Sequence, residues 1–366
     1  MVRLSRAQQQ EANRARVLAA AREEFAEHGF RETKIDRVAD RADLTRGAVY
    51  SNFPGKRALY FAVLAEAAER EPPGGDTESV RDATRALGAF ARAWVARLPL
   101  TGTDERVGVE LMAEVTADPR VSRVFAQATA VQAILLGRAL ESLDPQPQAG
   151  RRCVRVAESV LTTLHGAGQL AAAAPGFVDP FAVIRSCERL AGVDLDDGWP
   201  LPHITHVPDA RPVDEPWAAP TALDVLRGER FPVEDGIVAV LGLHRLEALE
   251  EALRAVAEGV PVTIVPVTSE PAELLPLVRL VLAELRSCLS SSFPAGSWAR
   301  PSIVLDPGLA LAVGVTDPND DTESALRLHG GRVVARSEGR GAAHAVGALV
   351  PPTGARNEGN GARTAR

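Results

Sequence analysis

Residues 21–64 read AREEFAEHGFRETKIDRVADRADLTRGAVYSNFPGKRALYFAVL, and the order of helices and turns in this stretch decides the kind of protein. Reaching back from it, Val17, Leu18, Ala21 and Phe25 recur at three- and four-residue spacing. That spacing predicts one helix from about Ala7 to Glu27, closed by His28-Gly29. Thr33 reads as the cap of a short helix, Lys34 to Ala42, with Ile35, Val38 and Ala39 on its apolar face. Asp43-Leu44 makes a tight turn, and Thr45 caps a second short helix, Arg46 to Asn52. Pro54-Gly55 ends that helix, and Lys56 opens a longer one containing Leu59, Val63 and Leu64. Two short helices across a tight turn, flanked by longer ones, form a helix-turn-helix.

A helix that enters the DNA major groove needs small or polar side chains at its N-terminal end, so that its backbone can approach the base edges. Arg46, Gly47, Ala48 and Ser51 meet that need, with Val49 and Phe53 turned inward. Thr33, Tyr50, Asn52 and Lys56 are placed to bond phosphates, Lys56 beside a helix N-terminus where amide groups attract anions. Lys34 and Thr45 complete the expected DNA-contacting set. The net charge of the chain is −7, yet Met1 to Arg57 holds twelve basic against eight acidic residues, a local +4. A local basic region is what a phosphate-contacting module requires.

Val17 to Leu64 resembles the DNA-binding domain of the TetR family of repressors. The threonine, the tight turn, the TRGAVYSNFPGKRAL segment and the following helix match in order. The resemblance implies an all-helical homodimer whose subunits each carry a DNA-reading head and a ligand-binding body. It also implies repression that is relieved when a small molecule binds. Asp36, with Asp40 and Asp43 near it, departs from the pattern by placing acids beside the expected phosphate face.

Beyond Pro72-Pro73-Gly74-Gly75, amphipathic helices are predicted at Thr77 to Arg97, Asp104 to Ala117, Arg120 to Leu143, Gly150 to Ala174 and Pro180 to Ala191. None of this stretch alternates like a strand, so it reads as a helical bundle. By the resemblance, Cys153 to Ala174 and Asp179 to Ala191 stand where the family's last two helices pair across the dimer. Gly166, Ala167, Gly168 and the run Ala171 to Ala174 permit close approach there. Trp94, Leu111, Met112, Phe125, Leu135, Leu161, Leu164 and His165 are candidates to line a largely apolar effector pocket, with plain core packing as the alternative for each.

From Gly198 to Pro220 prolines crowd the chain, which predicts a semi-stiff linker. Strand-like runs then follow at Ile237 to Leu243, Val262 to Val267 and Ser302 to Leu305, with helices at Arg245 to Glu258 and Pro271 to Arg286. Ala325 to Ala335 carries a Gly330-Gly331 hairpin turn. This order, with PSIVLDPGLALAVGV at 301–315 before the hairpin, resembles a thioredoxin or peroxiredoxin fold. Catalysis there needs a reactive thiolate where the first strand meets its helix. Here Leu241 to Leu246 holds no cysteine, so a folded but catalytically silent module is expected.

Cys153, Cys187 and Cys288 lie far apart, which argues against a disulfide scaffold and for a reducing, cytoplasmic setting. No apolar stretch approaches the ~20 residues that span a bilayer. His203 and His206 lack further ligands, so no metal and no cofactor is expected. The expected fold class is an all-α head and bundle followed by an α/β thioredoxin-like domain. Its parts are a helix-turn-helix domain at 1–70, a ligand-binding and dimerisation domain at 71–197, a linker at 198–216, the α/β domain at 217–350 and a disordered tail at 351–366. The expected partners are a double-stranded operator, a small apolar effector and a second copy of the chain, with no membrane. The main rival reading is a redox enzyme of the thioredoxin or peroxiredoxin type with a DNA-binding head.

Overall fold

Ser5 starts the first helix with a capping box: its side chain accepts from the Gln8 amide while the Gln8 side chain accepts from the Ser5 amide. In the computed structural model, which describes residues 5–70, 80, 82–98, 108, 110–143, 152–195, 197, 207–294, 296–298 and 300–349, this helix is α1 (Arg6–Glu32). It kinks at Gly29, whose φ of 75° suits a residue without a Cβ. α2 (Ile35–Arg41), α3 (Arg46–Tyr50) and α4 (Lys56–Glu69) follow, and α1, α2 and α4 enclose an aromatic core. Phe25 meets Tyr60 edge-on at 5.3 Å and Phe30 lies 4.7 Å from Tyr60.

The body comprises α5 (Ala83–Val95), α6 (Leu111–Thr116), α7 (Pro119–Glu141), α8 (Val154–Ala173) and α9 (Pro180–Leu190). α7 and α9 each begin with Asp followed by Pro: Asp118 and Asp179 accept from backbone amides of the first turn, and the proline gives up an N–H that the helix does not need. Gly137 lets α7 touch the start of α8, where a Cβ would lie 2.9 Å from the Val154 nitrogen. Among the described residues, no helix is long and apolar enough to cross a membrane.

The C-terminal region is a mixed α/β domain. Its strands are β1 (Arg211–Pro216), β2 (Thr221–Asp224), β3 (Glu229–Pro232), β4 (Gly236–Gly242), β5 (Val262–Val267), β6 (Ser302–Ile303), β7 (Glu323–His329) and β8 (Arg332–Glu338). The six-stranded sheet runs β1-β8-β7-β4-β5-β6, and β2 and β3 form a separate hairpin. β4, β5 and β6 are parallel, whereas β7, β8 and β1 join antiparallel. β4 is buried along its whole length, as expected of a central strand covered on both faces. Ile237, Ala239 and Leu241 face one core while Val238 and Val240 face another. The first face carries α10 (Ala248–Ala255), α11 (Pro271–Ser290) and α13 (Ala342–Gly347); the second carries α12 (Pro307–Val313) and the small hairpin.

Several boundaries differ from the sequence expectation. Thr33 does not cap α2; Lys34 holds that position without a side-chain bond, and the Thr33 hydroxyl donates back to Gly29 O at 2.7 Å. Residues 211–216, read as linker, form β1 against β8, because proline is tolerated on an edge strand whose outward N–H groups need no partner. The β2–β3 hairpin, α12 and α13 were not anticipated. The tail at 351–366, His203 and His206 lie outside the described residues.

Candidate nucleic-acid interface

The turn between α2 and α3 is made by Asp43 at φ 50°, a left-handed conformation that aspartate tolerates better than most residues. The Leu44 amide then bonds back to Ala39 O, and Arg16 of α1 clasps the turn through Asp43 O at 2.9 Å. Thr45 caps α3, accepting from the Ala48 amide at 3.2 Å. Val49 and Phe53 are buried, with the Arg14 guanidinium 4.5 Å above the Phe53 ring. That anchoring leaves Thr45, Arg46, Gly47, Tyr50 and Ser51 exposed together. Ala48 and Asn52 are half-buried beside them, and the Asn52 amide donates to Ala48 O at 2.8 Å.

Arg46 is held by Asp36 at 3.2 Å and lies 5.5 Å over the Tyr50 ring. Asp36 therefore orients the arginine at the tip of α3. Lys34 is exposed near the start of α2. Two further residues are placed differently from the phosphate contacts expected of them. Thr33 is 2% exposed with its hydroxyl turned inward. Lys56 Nζ donates to Phe30 O at 2.8 Å, Arg31 O at 3.1 Å and Thr33 O at 3.2 Å, and sits 4.4 Å over the Phe30 ring. As placed, it ties down the carbonyl end of α1.

Sequence reading missed the residues that join this head to the body. Glu110 accepts from the Phe30 and Arg31 amides. Arg57, in the first turn of α4, pairs with Asp118 at 2.9 Å and with Glu273 of α11. Arg41 binds the Glu23, Glu24 and Glu27 carboxylates of α1 and locks α2 onto it. Such pairs link positions far apart in sequence and leave no local pattern.

Of the candidate effector residues, Trp94, Phe125 and His165 come together. His165 meets Trp94 edge-on at 4.9 Å and Phe125 edge-on at 5.7 Å. Its Nε2 is buried with no hydrogen-bond partner among the described residues, and burial pushes the imidazole down to about 4. Leu135, Leu161 and Leu164 are core residues, while Leu111 and Met112 pack at its margin, half-buried. An imidazole that folds neutral but protonates when unfolded makes the protein less stable as pH falls from its unfolded value near 6.5 towards 4. Denaturant unfolding at pH 7 and pH 5 should give about 2 kcal/mol less loss for His165→Leu than for the parent chain. Parallel losses in the two proteins would contradict a neutral buried imidazole.

Two short helices locked across a left-handed turn, with an exposed polar tip on a basic head, define a DNA-binding regulator of the helix-turn-helix class. Residues 17–63, the whole helix-turn-helix region, match the family model described as bacterial regulatory proteins, tetR family. The chain is 29% identical over 144 residues to the HTH-type transcriptional repressor Rv1474c of Mycobacterium tuberculosis, spanning 38% of this chain and 69% of that protein. It is 44% identical over 55 residues to the HTH-type transcriptional regulator SrpR of Pseudomonas putida, spanning 15% of this chain and 26% of that one. Among solved structures it is similar to NalD, the secondary repressor of a multidrug efflux pump in Pseudomonas aeruginosa. That likeness is 22% identical, covers 50% of this chain and 96% of NalD, and has a TM-score of 0.34.

Proposed function

We propose that this chain is a ligand-responsive transcriptional repressor that binds a palindromic operator as a homodimer in the cytoplasm. The observation that carries the reading is the exposed tip of α3, Arg46 to Ser51, presented by a buried Val49–Phe53 anchor. Arg46, Gly47, Ala48 and Ser51 face base edges; Lys34, Thr45, Tyr50 and Asn52 serve the backbone phosphates. Thr33 and Lys56 support the head from within, since their polar atoms are already engaged. Arg46→Ala is expected to weaken operator binding by about 5- to 150-fold, corresponding to roughly 1–3 kcal/mol, and leave random duplex unaffected. Equal losses on both duplexes would remove Arg46 from base reading.

The homodimer reading is supported by α8 and α9, around which Leu170, Phe177 and Phe181 are 46%, 72% and 71% exposed. Large apolar side chains left exposed where α8 ends and α9 begins favour a partner surface over water. Trp94, Phe125 and His165 are the core of the proposed effector site, and an apolar molecule placing one polar group against His165 Nε2 suits them.

We read the C-terminal domain as thioredoxin-like and catalytically silent. The succession β4-α10-β5-α11-β6, its three strands parallel, followed by α12, the antiparallel β7-β8 hairpin and α13, supports the first part. The junction after β4 supports the second: Leu243, His244 and Arg245 stand there without a thiol, and Cys288 of α11 is fully buried.

The testing experiment is selection of bound duplexes from a random pool by the purified full chain at moderate salt, followed by sequencing. A palindrome with half-sites about one helical turn apart is the expected product. Recovery of no preferred sequence would overturn the reading.

A further inference from the structure

The α/β domain is not appended to the regulator; one of its helices is built into it. α11 is apolar around most of its girth, with Leu274, Leu277, Val278, Val281, Leu285 and Leu289 all buried. A helix buried on that many sides lies between two layers. On one side of it lie α4, α5 and α7 of the regulator, and its buried residues belong to a single apolar core that runs from Phe25 in the head to Ile264 in the sheet.

Polar ties fasten α11 along its length. Near its start, Glu273 accepts from Arg57 Nε at 3.0 Å, at the first turn of α4. Further on, Arg279 forms a two-pronged pair with Glu69 at the last turn of α4, at 2.9 and 2.7 Å. The fully buried Gln132 of α7 donates to Val281 O at 2.8 Å, and Arg97 donates to Ser287 Oγ at 2.6 Å. A second attachment lies at the carboxyl end of the parallel strands, where Arg120 of α7 holds Asp320 at 2.7 Å and Gln127 bonds Glu247. That strand end is where α/β sheets ordinarily bind ligands, and here α7 reaches over it.

α4 carries Tyr60 into the aromatic core of the head and is the helix that leads out of the helix-turn-helix into the body. Both of its ends are therefore held by α11. We infer that α11 positions the DNA-reading head through α4, with Glu273 and Arg279 as positioning residues. The α/β domain then sets operator affinity without touching DNA. A ligand or partner that shifts this domain changes operator binding by the same coupling, as linkage requires. The inference rests on the DNA-binding reading above.

The test compares the full chain with Arg279→Glu, and with Arg279→Glu combined with Glu69→Arg, which restores the pair in reverse. For each protein, affinity is measured for the selected operator and for a random duplex, with the unfolding midpoint as a control. The expected result is at least a fivefold change in the operator-to-random affinity ratio for Arg279→Glu, and a return to within twofold of the parent in the swapped pair. An unchanged ratio in a chain that selects an operator would overturn the positioning role alone. A changed ratio that the swap fails to restore would overturn it too. A parent chain that selects no operator would overturn the DNA-binding reading first and this inference with it.

Discussion

Lys56→Ala is expected to lower the stability of the head by about 3 kcal/mol and to abolish binding to operator and random duplex alike. The lysine satisfies three carbonyls where α1 ends, at Phe30, Arg31 and Thr33, and lies over the Phe30 ring. Hydrogen bonds from a charged donor contribute about 1.5–3 kcal/mol net, and a partly buried cation over an aromatic ring adds up to ~2 kcal/mol. Alanine leaves the three carbonyls without this donor at the kink that orients α2 against α1. Denaturant unfolding monitored by far-ultraviolet circular dichroism, with DNA binding measured in parallel, checks this. A weakened salt-dependent affinity in a protein of unchanged stability would instead return Lys56 to the phosphate backbone.

The second large effect is expected at Gly242, the last residue of β4. A Cβ there would stand 2.2 Å from Asp320 O and 2.6 Å from Asn319 O, both backbone atoms. The Gly242 amide also donates to Thr322 O at 2.7 Å, so the strand end and the loop before β7 cannot separate without losing that bond. Gly242→Ala should therefore cost about 3 kcal/mol or more, at the upper end of overpacking substitutions. Gly296→Ala is the control, because among the described residues nothing lies within 4 Å of its would-be Cβ; it should stay within roughly 0.5 kcal/mol of the parent. Since Arg120 of α7 binds Asp320, the Gly242 substitution should also disturb the attachment of the α/β domain to the body. Equal stability of the two variants would contradict the close approach.

The head was legible in the sequence because its signals are local. The Thr45 cap, the Asp43 turn and the Gly29 break each act within a few residues, and each appears where the sequence places it. The central strands were legible for a similar reason: β5 spans Val262–Val267, the apolar run read from the sequence. Pro212 and Pro216 misled, because proline signals a linker by composition yet is admitted to an edge strand by geometry. Thr33 misled in another way, since a threonine between two helices caps whichever one its hydroxyl can reach. Nothing short-range distinguishes the forward helix from the backward one.

The helix-turn-helix head is written locally into the chain, because caps, turns and helical periodicity act over a few residues. Long-range packing, by contrast, spends Lys56 on the end of α1 and lays α11, some 200 residues downstream of α4, along that helix. Those choices depend on which apolar faces meet and which charges they bring within reach. Contact between distant segments follows from the shape of the assembled core, and that shape is not carried by any window of sequence.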